Sequence, residues 1–334
     1  MLVLSRRDVE ALLDLDELVD AVAAAMVELS AGRASMPRRA AALVPERHAM
    51  LAVMPAFLAS PGAGALVTKA VSLFPGNLSR PTHQAVVCCF DPDDGTPLAV
   101  MDGTLITAAR TAAASALATR LLARPDAREV VVIGTGVQAA THARAHARLP
   151  GVEVVRIAGR SPARVAGLVD ELAGPLGDAG VAVEAAPGVE SAVRSADVVC
   201  ATTHADRPVV SRAWLRPGTH VNSVGYNSDG EGEVDAATVA DARVVVESRD
   251  TALAPPPAGA VELHRAIASG ALDDEGVAAI VEIGELVAGT AAGRTDERQL
   301  TLYKSVGVAV QDAAAAALVL AAARARGVGR EVEL

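Results

Sequence analysis

The sequence predicts an α/β protein of two domains, a doubly wound parallel-sheet domain and a discontinuous α+β domain built from both ends of the chain. Three observations predict it. From about residue 120 to 295, continuous apolar runs alternate with helical segments, as strands buried on both faces of a parallel sheet do. Between residues 38 and 100 the runs are shorter and separated by turn residues, which reads as an antiparallel sheet. The Ala-rich stretch 305–326 reads as one long helix with no sheet of its own, so it is expected to return to the N-terminal part. The expected boundaries are 1–118 with 297–334 for one domain and 119–296 for the other.

Taken in order, residues 2–4 read as a short strand, followed by two helices for which Ser5 and Asp14 or Asp16 are candidate N-caps. The antiparallel runs are Met50 to Met54, Ala65 to Phe74, Ala85 to Phe90 and Leu98 to Met101, with Asp93-Asp94-Gly95 as a hairpin turn between the last two. Thr104 or Thr107 then caps an Ala-rich helix to about Ala123. The parallel strands are Val130 to Ile133, Val152 to Ile157, Val181 to Val183, Val198 to Cys200, His220 to Val224 and Val244 to Val246. Ala254-Pro255-Pro256-Pro257-Ala258 is a stiff loop among them.

Composition limits the function. The chain has 334 residues, 51% of them apolar but only six aromatic, so its core must come from Ala, Val and Leu. A formal net charge of -10 disfavours nucleic acid and anionic membranes and points to a small molecule or another protein as partner. Three cysteines without CxxC spacing make neither a disulfide framework nor a thiolate metal site. The N-terminus has no signal-peptide apolar segment, and the run 313–323 is short of the about 20 residues that span a bilayer. A soluble, cytoplasmic protein is expected. Of 30 basic residues only Lys69 and Lys304 are lysines; chance accounts for them as readily as a need for a compact charge whose pKa shifts on burial.

The first parallel strand runs into Gly134-Thr135-Gly136-Val137-Gln138-Ala139, which opens a helix. Gly134 permits a tight turn, Gly136 lets backbone approach a pyrophosphate, and Ala139 allows close helix–strand packing, which is the Rossmann dinucleotide arrangement. The strand before and the helix after supply the context that a bare glycine pattern lacks. At the end of the second strand, Gly159-Arg160-Ser161 stands where selection for NAD would place Asp or Glu. Arg160 and Ser161 suit a 2′-phosphate, favouring NADP(H) with NAD(H) possible, although Ser161 also fits as a helix cap.

Beyond the glycine turn, Lys69-Ala70-Val71-Ser72-Leu73-Phe74-Pro75-Gly76-Asn77, Pro81-Thr82-His83-Gln84, Leu105-Ile106-Thr107-Ala108-Ala109-Arg110-Thr111-Ala112-Ala113 and Thr301-Leu302-Tyr303-Lys304-Ser305-Val306-Gly307 stand in order. With them the chain resembles the ornithine cyclodeaminase and mu-crystallin family over residues 36–312. The resemblance implies a homodimer whose α+β domain carries dimer contacts and substrate groups. It implies that Arg39, Lys69 and Arg110 surround the carboxylate of a small amino-acid or imino-acid substrate, with Val306 beside it. Three converging cations would fix that carboxylate by charge-assisted hydrogen bonds. Arg38 is the neighbouring rival to Arg39. The same resemblance implies cofactor contacts from Thr82, Arg110, Gly134, Gly136, Val137 and Gln138, and from Thr202, Val224, Gly225 and Ser305.

The sequence departs from the cyclodeaminase pattern in one loop. Where those enzymes carry Gly-Ala-Asp-x-Pro-Gly-Lys-x-Glu, this chain reads Gly225-Tyr226-Asn227-Ser228-Asp229-Gly230-Glu231-Gly232-Glu233. Asn227 cannot take a proton at neutral pH, though it can orient an amine or a water. Asp229 is a substitute two residues away. Loss of the carboxylate removes the step that separates cyclodeamination from simple hydride transfer. The preferred function is therefore an NAD(P)-dependent oxidoreductase of α-amino and imino acids, of the ketimine reductase or amino-acid dehydrogenase type. Lys69, a water held by Asn227, or His83 would supply the proton; His83 reads equally as a hydrogen-bonded sheet residue. The alternatives are an ornithine or lysine cyclodeaminase acting through Asp229 with recycled NAD, and a non-catalytic NADP-binding protein of mu-crystallin type.

The remaining polar groups read as structural. His142 and His146 have a zinc-compatible spacing but no third ligand, and a solvated helix face is expected for them. Asp273-Asp274-Glu275 reads as a helix start, and Trp214 as packing at the domain surface.

Overall fold

The computed structural model describes residues 1–59, 64–77, 79–227, 230–255 and 258–333. Its contacts form two compact units, residues 1–110 with 307–334 and residues 111–306. The division falls inside the helix Gly103–Leu122.

The first unit holds a seven-stranded sheet in the order Arg330–Glu331, Leu2–Leu4, Pro97–Asp102, His83–Phe90, Ala65–Leu73, Ala49–Leu58, Ala40–Val44. The four strands from Ala49 to Asp102 are antiparallel neighbours, and Gly95, with φ +79°, makes the expected turn while Asp91 N donates to Thr96 O at 2.8 Å. Ala40–Val44 is an edge strand that its alanines did not advertise, because Ala is a poor strand former. Helix Ala309–Arg326 lies against Ala49–Leu58, Ala65–Leu73 and the helix Leu15–Ser30. Its alanines let it approach the sheet closely. The sheet alternates accordingly: Ala52, Met54, Ala56 and Leu58 are buried, whereas Leu51 and Val53 on the opposite face are 47% and 40% exposed.

Local chemistry sets the helix ends. Ser5 and Asp8 form a capping box, and Asp14 caps Leu15–Ser30 through the amides of Asp16 and Glu17. Neither Thr104 nor Thr107 caps the helix Gly103–Leu122. Asp102 accepts from Leu105 N at 2.7 Å, while Thr104 Oγ1 accepts from the strand amide of Ala85.

The second unit holds an eight-stranded, wholly parallel sheet in the order Val281–Glu282, Ala242–Val246, Leu300–Lys304, His220–Ser223, Val198–Ala201, Glu129–Ile133, Val154–Ala158, Ala182–Ala185. Chain direction across the sheet reverses at Glu129–Ile133, which puts Gly134 at the topological switch point where such sheets bind ligands. Leu300–Lys304 sits between two expected strands, so the returning segment of the first unit begins at 307 rather than 297. Its Thr301, Tyr303 and Lys304 break the apolar run that betrays other buried strands, yet all five residues are buried. Asp273 caps the helix Asp274–Ala278 as expected, and Trp214 packs half-buried against the core. The proline loop lies partly outside the described residues, at 256–257. No helix among the described residues is long and apolar enough to cross a membrane.

His142 and His146 are fully buried, contrary to a solvated helix face. Their rings stack with centroids 5.9 Å apart. His142 Nε2 meets Ser115 Oγ at 3.0 Å, His146 Nε2 meets Thr119 Oγ1 at 3.0 Å, and Thr119 Oγ1 accepts from Asn222 Nδ2 at 2.9 Å. Asn222 Oδ1 reaches His220 Nε2 at 3.2 Å, and His220 Nδ1 reaches Thr301 Oγ1 at 2.8 Å. This is a polar network inside an apolar unit, neutral because burial disfavours the imidazolium. Burial drives the histidines down to about 3 for His142, about 4 for His146 and about 3 for His220.

In the unfolded chain these imidazoles protonate near pH 6.5, while the folded chain resists. The unfolded state therefore binds more protons below that pH, and stability present above it is lost as pH falls toward the folded values. We expect each histidine to withdraw about 3 kcal/mol by pH 4. Thermal unfolding followed by circular dichroism should show a steep fall in Tm from pH 7 to pH 4, and a flat profile would contradict the network's neutrality.

Candidate functional site

The first unit gathers three cations on one short segment, residues 307–312, which opens the last helix. Lys69 Nζ donates to Asp312 Oδ2 at 2.6 Å, and Arg110 Nε donates to Asp312 Oδ1 at 3.1 Å. Arg110 Nη1 donates to Gln311 Oε1 at 3.0 Å, and Arg39 Nη2 to the carbonyl of Gly307 at 3.2 Å. Lys69, Arg110 and Asp312 are 2%, 5% and 0% exposed. Lys69 reaches the cluster because it alternates with Ala65 and Val67 on the buried face of its strand. Arg39 is half-buried and Arg38 exposed, which decides between the two rivals for a place in the cluster. Gly307 has φ +76°, a conformation that favours glycine, and a Cβ there would meet the Arg110 guanidinium at 2.9 Å.

Burial is the main influence on Lys69 and lowers it from 10.5 to about 8. Asp312 pulls it back up, while Arg110 and Arg39 push it down. An ammonium so placed can part with a proton near neutrality.

In the second unit the glycine turn has the geometry of a dinucleotide site. Gly134 has φ +134°, and a Cβ on it would meet Thr202 Oγ1 at 2.6 Å. Thr202 Oγ1 itself donates to Ile133 O at 2.9 Å and braces the turn. A Cβ on Gly136 would meet nothing within 4 Å, which leaves open space before the amides of the helix Val137–His146. Beside it, Gln138 Oε1 is buried without a hydrogen-bond donor, and Ala139 is fully buried against the sheet. These residues fit a pyrophosphate at a helix N-terminus. Ser161 caps the helix Pro162–Gly177, accepting from Arg164 N at 3.4 Å, and Arg160 is exposed at the end of Val154–Ala158.

The loop after His220–Ser223 is anchored by a buried acid–base cluster. Glu233 accepts from Thr203 N, Thr203 Oγ1, Ser223 Oγ and Gly225 N. Glu262 accepts from Glu233 N and, at 2.9 Å, from Lys304 Nζ; Lys304 also donates to Gly225 O at 3.0 Å. Burial pushes Glu233 above the ordinary carboxylate range, with Lys304 and the Thr203 donors holding it back. Cβ atoms on Gly225 and Gly232 would strike Glu233 and Glu262 at 2.4 Å, so these glycines let the loop fold onto the carboxylates. Asn227 Nδ2 donates to Ala205 O at 3.3 Å and to Asp206 Oδ1 at 3.0 Å, which brings a carboxylate to Asn227 that the sequence did not reveal. Asp229 lies outside the described residues.

Other expected site residues are accounted for locally. Val224 N donates to Ala201 O at 3.1 Å. Ser305 Oγ and Val306 N donate to the buried carboxylate of Glu247 at 2.5 and 2.9 Å. Thr82 Oγ1 lies 3.3 Å from His83 Nδ1 at the exposed start of His83–Phe90, in the first unit. Sequence reasoning missed Gln311, Asp312, Glu247 and Glu262. Gln311 and Asp312 carried a signal, being the two polar residues in the apolar run 306–323.

Removing one partner of a buried ion pair leaves the other charge stranded. Lys304→Met should destabilise the chain by about 3–5 kcal/mol in urea unfolding. Adding Glu262→Gln should restore part of the loss, and an additive double variant would refute the pairing.

The chain is 34% identical to the ketimine reductase mu-crystallin of Mus musculus over 290 residues, 86% of this chain and 85% of that one. Its structure is similar to the Delta(1)-pyrroline-2-carboxylate reductase of Thermococcus litoralis in complex with NADH and L-proline, with a TM-score of 0.92 and 35% identity, covering 99% of this chain and 100% of that one. It is also similar to an archaeal alanine dehydrogenase dimer with bound NAD, with a TM-score of 0.88 and 32% identity over 100% of this chain and 99% of that one. Residues 1–327 match the ornithine cyclodeaminase/mu-crystallin family, and the chain belongs to that family.

Proposed function

We propose that the chain is an NAD(P)H-dependent reductase of small α-imino acids, cyclic ketimines foremost. The observation that carries this reading is the gathering of Arg39, Lys69 and Arg110 on residues 307–312, together with an amide at position 227. Arg110 has five N–H donors, of which Nε and Nη1 are engaged, so its fork retains donors for a carboxylate. The dinucleotide is assigned to the glycine turn of the second unit, where it would supply the hydride. The substrate's C=N carbon gains that hydride and its nitrogen gains a proton. Lys69 is the assigned donor: it lies in the cation cluster and holds a proton it can release. Asn227 orients the nitrogen or a water. Position 227 itself carries an amide, which removes no proton from an amine, and that removal is what cyclodeamination needs.

The proposal includes NADP(H) as the preferred cofactor, because residues 159–161 offer an arginine and a serine and no carboxylate to the adenosine ribose. It includes a homodimer. Leu51, Val53 and Val86 are 47%, 40% and 44% exposed on the open face of the antiparallel sheet, and Val53, Ala70 and Val86 align in one row across it. An apolar sheet face of this kind is suited to a second copy. A cytoplasmic setting suits three free thiols at Cys88, Cys89 and Cys200.

The test is loss of NADPH or NADH absorbance with pyrroline-2-carboxylate, piperideine-2-carboxylate, or pyruvate with ammonia or methylamine. Reduction of a cyclic ketimine is expected, faster with NADPH, and Arg160→Ala should cut the preference. Arg110→Met should lower kcat/KM by about 100-fold. The kcat/KM for reduction should fall as pH rises through about 8, where Lys69 loses its proton. Ornithine giving proline and ammonia with no net change in cofactor would sink the reading in favour of cyclodeamination. Cofactor binding without turnover of any imine would favour a ligand-binding protein. Val53→Glu with Val86→Glu should yield monomers by light scattering; an unchanged dimer would place the interface elsewhere.

A further inference from the structure

We propose that Asp312 is the positioning residue of this site: a single buried carboxylate, shared between Lys69 and Arg110, fixes where both cations stand and offsets part of their charge. The inference rests on the reading of the cation cluster as the substrate-carboxylate site.

The geometry is specific. One oxygen of Asp312 takes Lys69 at 2.6 Å, and the other takes Arg110 at 3.1 Å. The carboxylate is 0% exposed, in the first turn of a helix that is otherwise Ala, Val and Leu from 313 to 323. The groups facing Lys69 are Asp312, Arg110 and Arg39, one negative charge and two positive. Three buried or half-buried cations without a counter-charge would be driven apart or deprotonated. With Asp312 present the cluster keeps two net positive charges. That is enough to hold an anion and few enough to be tolerated when the site is empty. Asp312 also ties its two partners together, because a shift of either cation breaks a hydrogen bond to a carboxylate the helix holds still. Gln311 reinforces Arg110 from the preceding residue.

The direction of the effect on Lys69 follows from the charges. Asp312 favours the ammonium, while burial and both arginines disfavour it. Loss of Asp312 therefore makes Lys69 release its proton at lower pH, and the alkaline limb of reductase activity should move down with it.

The chain contains only two lysines, so 13C-ε-lysine labelling gives two side-chain signals, and the Lys69 titration is read without an activity assay. In Asp312→Asn the Lys69 signal should titrate about 1–3 pH units lower than in the wild type. The fall of kcat/KM with pH should begin correspondingly lower, kcat/KM at neutral pH should drop about 100-fold, and NADPH affinity by fluorescence should be unchanged. In Asp312→Glu, which keeps the charge on a longer arm, the titration should stay near the wild type while kcat/KM still drops. That variant serves if Asp312→Asn does not fold. An unmoved Lys69 titration in Asp312→Asn, or wild-type kcat/KM in Asp312→Glu, would overturn the proposal. If the wild type reduces no imine, the functional reading fails by itself, and the titration still decides whether Asp312 controls Lys69.

Discussion

The first unit's site depends on one buried carboxylate. Asp312 sits where the returning chain starts its last helix, and it is the anion that lets Lys69 and Arg110 share a water-poor space. Strand Ala65–Leu73 and helix Gly103–Leu122 deliver the two cations separately, and helix Ala309–Arg326 draws them onto one residue. The alanines of that helix serve the same end, because a bulkier face would hold the helix off the sheet and lengthen the ion pairs. The discontinuity of the unit has a physical purpose in this light: a late segment completes what early segments leave unbalanced.

The second unit solves a similar problem with two glutamates and a lysine. Glu233 collects four donors around the start of the 225–233 loop, and Glu262 with Lys304 closes beneath it. Both lysines of the chain thus end in buried ion pairs, one in each unit. Each ammonium is a compact charge that reaches one carboxylate oxygen, Lys69 that of Asp312 and Lys304 that of Glu262. The histidine network follows a different rule: its imidazoles are satisfied by hydroxyls and an amide, and burial keeps them neutral.

Legibility differed by kind of element. Strands with continuous apolar runs and the Asp-Gly hairpin were readable because burial on both faces and positive φ leave a local mark. Leu300–Lys304 was not, since its polar residues are satisfied by partners distant in sequence, Thr301 by His220 and Lys304 by Glu262. The histidines at 142 and 146 were misplaced on the surface for the same reason. Asn227 was visible by position, but its neighbour Asp206 comes from a separate loop and shares no motif with it.

The sequence by itself determined the dinucleotide turn and the alternation of strands and helices, because each depends on residue type at short spacing; the cations at positions 69 and 110 came from the resemblance of whole motifs to a family. Only the tertiary structure decided what balances those cations, which arginine of the 38–39 pair joins them, and that both lysines end in buried ion pairs. Electrostatic compensation in a buried site is a property of distance in space. No spacing along the chain encodes that Asp312 stands within hydrogen-bond reach of Lys69, 243 residues earlier.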